Sequence, residues 1–185
     1  METATKTMTA GEYLAWEANQ ETRYEFFYGE AIAVPGSKKK HNKIIGNCYR
    51  QLADAVLQKG GEIYTEDIKL RVDRENVYTY PDVMVTCEPE DEQEEYFVNS
   101  PRLIIEVLSD STAAKDRSDK LIYYRRLPEL QNYLMVWQDQ RRVEHYARNA
   151  EGHWLYEVYE NPADAVLIAD FGVSLGLSAI YNRVL

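Results

Sequence analysis

Leu103-Ile104-Ile105-Glu106-Val107-Leu108 is the stretch that decides how this chain folds. Five of its six residues are aliphatic, and an apolar run of this length, interrupted only by Glu106, reads as a strand buried on both faces. Successive side chains in a strand point to opposite sides. Leu103, Ile105 and Val107 therefore share one face, and Ile104, Glu106 and Leu108 share the other. Glu106 then stands between aliphatic neighbours on its own face. An unpaired carboxylate there would cost several kcal/mol or give up its charge, so a stable fold has to supply a cation, a metal or strong donors.

Downstream, Ser111 or Thr112 can cap a helix running to about Leu127, where Pro128 stops it, and Tyr133 to Trp137 reads as another buried strand. This is a strand, a crossover helix and a parallel strand, and the unit should be right-handed. Upstream, Pro81 admits Val83-Met84-Val85 as a buried strand, with Asp82 at its entrance. If the two strands are neighbours, Asp82 and Glu106 converge on one cation of the oxygen-preferring kind, magnesium or manganese. The plainer alternative is that Glu106 pairs with a buried Arg or Lys and Asp82 caps a turn. Two carboxylates also serve glycoside hydrolysis, but no long aromatic-lined cleft can be placed in this sequence.

Before this core, residues 1–7 read as an unstructured start, and Thr9-Ala10-Gly11-Glu12 matches a capping box ahead of a short amphipathic helix. Arg23 to Tyr28 and Ala31 to Val34 form a hairpin around Tyr28-Gly29-Glu30. Apolar residues recur at helical spacing from Lys39 to Gln58, and Gly60-Gly61 ends that helix. Ile63 to Val72 reads as one strand that turns at Asp73 to Asn76 and returns toward Val77. Glu88 to Glu95 is acidic enough to be read as a mobile loop. After Trp137, Val143 to Ala147 and Trp154 to Tyr159 continue as a meander, and Leu177 to Asn182 as a short helix. The expected fold class is α/β (α+β): one domain over 8–185, with a mixed central sheet flanked by helices and an added antiparallel meander.

The 185 residues carry a formal charge of −10, a field that repels nucleic acid. Any polyanion must be met locally, and one basic cluster is available: Lys38, Lys39, Lys40 and Lys43 around His41. Its plain reading is a solvated helix start. Charges interrupt every apolar run well short of a membrane span, and there is no leader-like N-terminus, so a soluble cytoplasmic protein is expected. Cys48 and Cys87 lack metal or redox spacing and are read as reduced thiols. Fifteen tyrosines, four of them in the meander from Tyr133 to Tyr159, leave aromatic surface suited to a homodimer.

Tyr80-Pro81-Asp82-Val83, then Leu103 to Ser109, then Ser111-Thr112, Asp116, Lys120 and Tyr123, resemble the Uma2 family. That family is similar to the PD-(D/E)xK nuclease superfamily, and the resemblance runs from about Met8 to Leu177. It implies a restriction-endonuclease-like core and metal-dependent hydrolysis of phosphodiester bonds in nucleic acid, DNA above all. Asp82 and Glu106 take the places of the two acidic metal ligands, with the backbone carbonyl of Val107 as a further ligand for Mg²⁺ or Mn²⁺. Leu108 stands where the superfamily has Lys, and the resemblance gives the catalytic role to Lys120. Tyr24-Glu25 with Gly29-Glu30 resembles the family's N-terminal motif, which makes Glu25 a further site residue, and His41 matches another family position. Lys38, Lys39, Lys40 and Lys43 would contact the nucleic-acid backbone. The alternative is a catalytically silent nuclease-like scaffold. A Lys120 ammonium within reach of the site carboxylates favours the enzyme; one paired at the surface with Asp116 favours the scaffold.

Overall fold

The computed structural model describes residues 7–109 and 120–185. Helix α1, Ala10–Glu17, starts on the expected capping box: Thr9 Oγ1 accepts from the Glu12 N–H, and the Thr9 N–H donates to Glu12 Oε2 at 2.8 Å. Strands β1, Tyr24–Phe27, and β2, Glu30–Ala33, form the first hairpin. Helix α2, Lys39–Gln58, then buries a stripe of Ile44, Ile45, Cys48, Leu52 and Val56. It ends on Gly60 at φ 74°. The next residue, Gly61, lies so close to Val56 and Cys87 that a Cβ would meet both at 2.9 Å.

Six strands make the main sheet: β3 (Glu62–Thr65), β6 (Val83–Thr86), β8 (Pro101–Leu108), β9 (Asn132–Trp137), β10 (Val143–Arg148) and β11 (Trp154–Tyr159), in the order β11-β10-β9-β8-β6-β3. All its pairings are antiparallel except β8 with β9, the parallel pair expected from the crossover reading. A second sheet joins β1 and β2 to β4 (Lys69–Asp73), β5 (Val77–Thr79) and β7 (Phe97–Val98), in the order β2-β1-β5-β4-β7. One face of the main sheet, with Leu103, Ile105 and Val107, packs on α2 and the C-terminal elements; the other, with Ile104 and Leu108, packs on Leu70, Tyr124, Leu127 and Leu130. The five aliphatic side chains of β8 are at most 4% exposed. At about 2 kcal/mol each, their burial outweighs the cost of carrying Glu106 among them.

Three expectations change. Ile63 to Val72 is two strands rather than one: the chain breaks at Glu66, which adopts φ 52°, so β3 joins the main sheet and β4 the second. Arg23 holds that break, donating to the Glu66 carbonyl and pairing with Asp67 at 3.1 Å. The acidic stretch Glu88 to Glu95 contains a helical turn, Pro89–Glu92, pinned by Asp91. That carboxylate is 2% exposed and accepts from Thr86 Oγ1 (2.7 Å), the Asn99 N–H (2.7 Å) and the Ser100 N–H (3.1 Å), contacts that local composition cannot reveal. A hairpin not foreseen, β12 (Ala165–Ile168) with β13 (Val173–Gly176), closes the α2 face and leads into Leu177–Ile180.

The expected helix from Ser111 or Thr112 falls mostly outside the described residues, as does Asp116; its final turn, Leu121–Tyr124, is present before Pro128. In the meander Tyr133 is buried, so its exposed apolar surface is carried by Leu155, Tyr156 and Val158 on edge strand β11. Among the described residues no helix is long and apolar enough to cross a membrane.

Candidate functional site

The antiparallel register of β6 and β8, with Val83 opposite Ile105, brings Asp82 beside the end of β8 that carries Glu106 and Val107. Asp82 Oδ2 accepts the Val107 N–H at 2.6 Å and lies 3.2 Å from His41 Nε2, so the acid is tied to both the neighbouring strand and the first turn of α2. Burial opposes a charge on His41. The hydrogen bond and charge of Asp82 outweigh it, Glu66 and the Val107 carbonyl add smaller pulls, and the imidazole pKa is raised.

Glu106 is 4% exposed and compensated as its surroundings demand. Its Oε1 accepts from the Tyr124 hydroxyl at 2.8 Å and from the Lys120 ammonium at 3.2 Å. Tyr124 is fully buried, and that burial together with the Glu106 charge holds its pKa well above the ordinary phenol value, so it stays a neutral donor. Thr79 Oγ1, 3.1 Å from the same hydroxyl, completes the contact. The plain reading of Glu106, a buried acid paired with a cation, is thus met by Lys120. The plain reading of Lys120, a surface pair, is not: the residue is 7% exposed.

Lys120 also reaches Glu25 Oε1 at 2.8 Å. Glu25 comes from β1 of the second sheet and accepts the Tyr80 N–H at 3.2 Å. One ammonium therefore bridges an acid from each sheet. Tyr80, the residue before Pro81-Asp82, is held from behind as well: its hydroxyl donates to Glu17 Oε1 at 2.7 Å, and Glu17 pairs with Lys69 at 2.8 Å. Burial works against the Glu17 charge, but Lys69 and Tyr80 prevail and its pKa is lowered. Sequence reading missed Tyr124, Thr79 and the Glu17–Lys69 pair, and it quoted Tyr80 without giving it a role. Of the missed residues only Tyr124 left a signal, standing four residues after Lys120 and so on the same side of a helix.

These groups border a cleft of about 300 Å³ between the end of β2 and the start of α2, whose lining includes Glu25, His41, Asp82, Glu106, Val107 and Lys120. Arg23 and Lys38 add positive charge, and Ile32, Val34 and Pro35 an apolar wall. The basic cluster does not act as one patch. Lys38 lines the cleft and Lys39 is exposed, whereas Lys40 pairs with Asp139 at 3.5 Å and Lys43 donates to the Arg183 carbonyl at 3.2 Å.

A family model described as "Putative restriction endonuclease" matches residues 10–179, nearly the whole chain. The chain belongs to the Uma2 family. Uma2 relatives include two uncharacterised proteins of Synechocystis sp. (strain PCC 6803): slr1290, 35% identical over 92% of this chain and 90% of its own, and sll1609, 38% identical over 82% and 86%. A crystal structure of a protein from Anabaena variabilis ATCC 29413, titled a putative nuclease belonging to DUF820, superposes with a TM-score of 0.79 at 21% identity, covering 96% of this chain and 99% of that one. That likeness establishes the fold, a mixed α+β arrangement of sheets flanked by helices. Within it, Leu108 is fully buried in the face containing Met84 and Tyr133, so this position is part of the core.

Proposed function

We propose that this Uma2 domain hydrolyses phosphodiester bonds in nucleic acid, DNA first, with a divalent metal held by Asp82 and Glu106. The observation that carries the reading is the Lys120 ammonium, buried between Glu25 and Glu106 at the end of the strand pair that presents Asp82. The donors fit a hard cation, Mg²⁺ or Mn²⁺: two carboxylates from adjacent strands and the Val107 carbonyl, all oxygen. Among the described residues no three His, Cys, Asp or Glu side chains form a ready-made metal cage. When bound, such an ion would make water more acidic and offset charge on the phosphate.

The chain's own residues supply the rest. Lys120 sets a fixed positive charge in a largely water-free corner, where it counts for more than in bulk solvent, and can pair with charge developing on a phosphate oxygen. Glu25 and Glu106 hold that ammonium in place, and the Tyr80 N–H orients Glu25 in turn. The Val107 N–H and His41 fix the Asp82 carboxylate. Lys38 and Arg23 would draw a backbone phosphate toward the cleft, against the repulsion of the whole molecule.

Purified protein with Mg²⁺ or Mn²⁺ should cleave single-stranded, double-stranded or branched DNA, and Asp82→Ala should abolish cleavage. If the two proteins behave identically on every substrate, the proposal is wrong. Titration with Mn²⁺ tests the ligand set separately: equal affinity before and after Glu106→Ala would remove Glu106. One observation favours the scaffold reading instead. Glu106 Oε1 already accepts two hydrogen bonds, from Lys120 and Tyr124, so the acid is stable without an ion. DNA binding without cleavage, unaltered by Mn²⁺, would decide for it.

A further inference from the structure

The β1–β2 hairpin breaks a local rule. Its two central residues, Tyr28 and Gly29, both adopt positive φ, 49° and 98°, as a two-residue hairpin turn requires. Gly, Asn and Asp fill such positions readily. An aromatic residue there is an outlier held at a cost, and strain of this kind concentrates at functional sites. The Tyr28 N–H donates to the Asn76 carbonyl at 2.8 Å, which anchors the turn, while its side chain is 51% exposed.

What Tyr28 gains is a place in a row of rings. Its ring centroid lies 5.9 Å from that of Tyr123, which lies 5.6 Å from Phe27 and has the Arg126 guanidinium 6.0 Å above it. The row adjoins the cleft by construction. Glu25 and Phe27 are two apart on β1 and share a face, roughly 7 Å from each other. Lys120 and Tyr123 are three apart, one helical turn. The Glu25–Lys120 and Phe27–Tyr123 contacts are therefore successive rungs of one seam, and Tyr28 stands at its outer end.

Resting on the nuclease reading, we infer that Tyr28 and Tyr123 form a stacking platform for an unpaired base of a strand whose phosphate lies in the cleft, making single-stranded or frayed nucleic acid the preferred substrate. Rings combined with a guanidinium accept any base by its face, and stacking needs little help from backbone charge. That suits a molecule of net charge −10, with Glu30 beside the platform, better than a phosphate track does. A paired base in duplex DNA has no free face to offer.

The test uses Tyr28→Asn and Tyr28→Phe, the first a residue the turn accepts more readily, the second a ring without its hydroxyl. Binding and cleavage of a single-stranded oligonucleotide containing 2-aminopurine are measured with Mn²⁺. Tyr28→Asn should weaken single-strand binding roughly tenfold and lose the fluorescence quenching of the stacked base, with an unlowered melting temperature. Tyr28→Phe should retain both, and blunt duplex should be a poor substrate for all three proteins. Equal single-strand binding by Tyr28→Asn, or preference for blunt duplex, overturns the platform while the nuclease reading stands. Absence of binding and cleavage on every nucleic acid overturns both. Retention of catalysis with tight capture of a protein partner lost only in Tyr28→Asn would assign the rings to that partner instead.

Discussion

Replacing Lys120 with Met keeps most of the side chain's volume and removes only its charge. Glu25 and Glu106, whose side chains are 13% and 5% exposed, then face one another's field without the cation that now touches both. Removing one partner of a buried ion pair costs about 3–5 kcal/mol. The lower end applies here, since Glu25 keeps the Tyr80 N–H and Glu106 keeps the Tyr124 hydroxyl. For a chain of this length about 3 kcal/mol lowers Tm by roughly 6–12 °C. Adding Glu106→Gln to Lys120→Met should recover part of the loss, because it removes one of the two facing charges. Thermal unfolding followed by circular dichroism in EDTA, with cleavage measured in parallel, reads both consequences. A Tm within about 1 °C of the parent, or no recovery in the double variant, would refute the bridging role of Lys120.

Other consequences follow from buried groups elsewhere. Burial pushes the His145 pKa down to about 4, with Glu157 opposing only in part. The unfolded chain takes up that proton near pH 6.5 and the native state does not, so stability falls from pH 6.5 toward 4 by about 3 kcal/mol; in His145→Gln, urea unfolding across this window should show a flatter decline. Asp91→Ala strips acceptors from the Asn99 and Ser100 N–H groups, which should cost about 2–4 kcal/mol in urea unfolding and expose Glu88 to Glu95 to proteases. Tyr80→Phe removes the hydrogen bond to the Glu17 carboxylate, a loss of about 1.5–3 kcal/mol measurable in the same way. Unchanged unfolding in either variant would mean that these carboxylates hold nothing.

Much of the fold was legible because it is written in local pattern. The capping box at Thr9, the apolar period of α2 and the aliphatic run of β8 each act over a few residues, and each element formed where that pattern stood. The break at Glu66 was not legible: it depends on Arg23, distant in sequence, seizing the Glu66 carbonyl and Asp67. Nor was the pinning of Asp91, whose donors come from β6 and from the residues before β8. Composition alone describes such a segment by its charge and misses the groups that neutralise it.

The site divides in the same way. From sequence alone, Glu106 had to be a compensated charge, because the aliphatic residues on its own strand face left no other stable arrangement, and the neighbouring strands place Asp82 at the same end of β8. Only the tertiary structure decided what does the compensating. Lys120 and Tyr124 meet Glu106 from a helical turn, and Glu25 of the second sheet holds the same Lys120 ammonium, at distances where direct charge pairing and hydrogen bonding act, and those distances are set by how the layers pack rather than by any spacing along the chain.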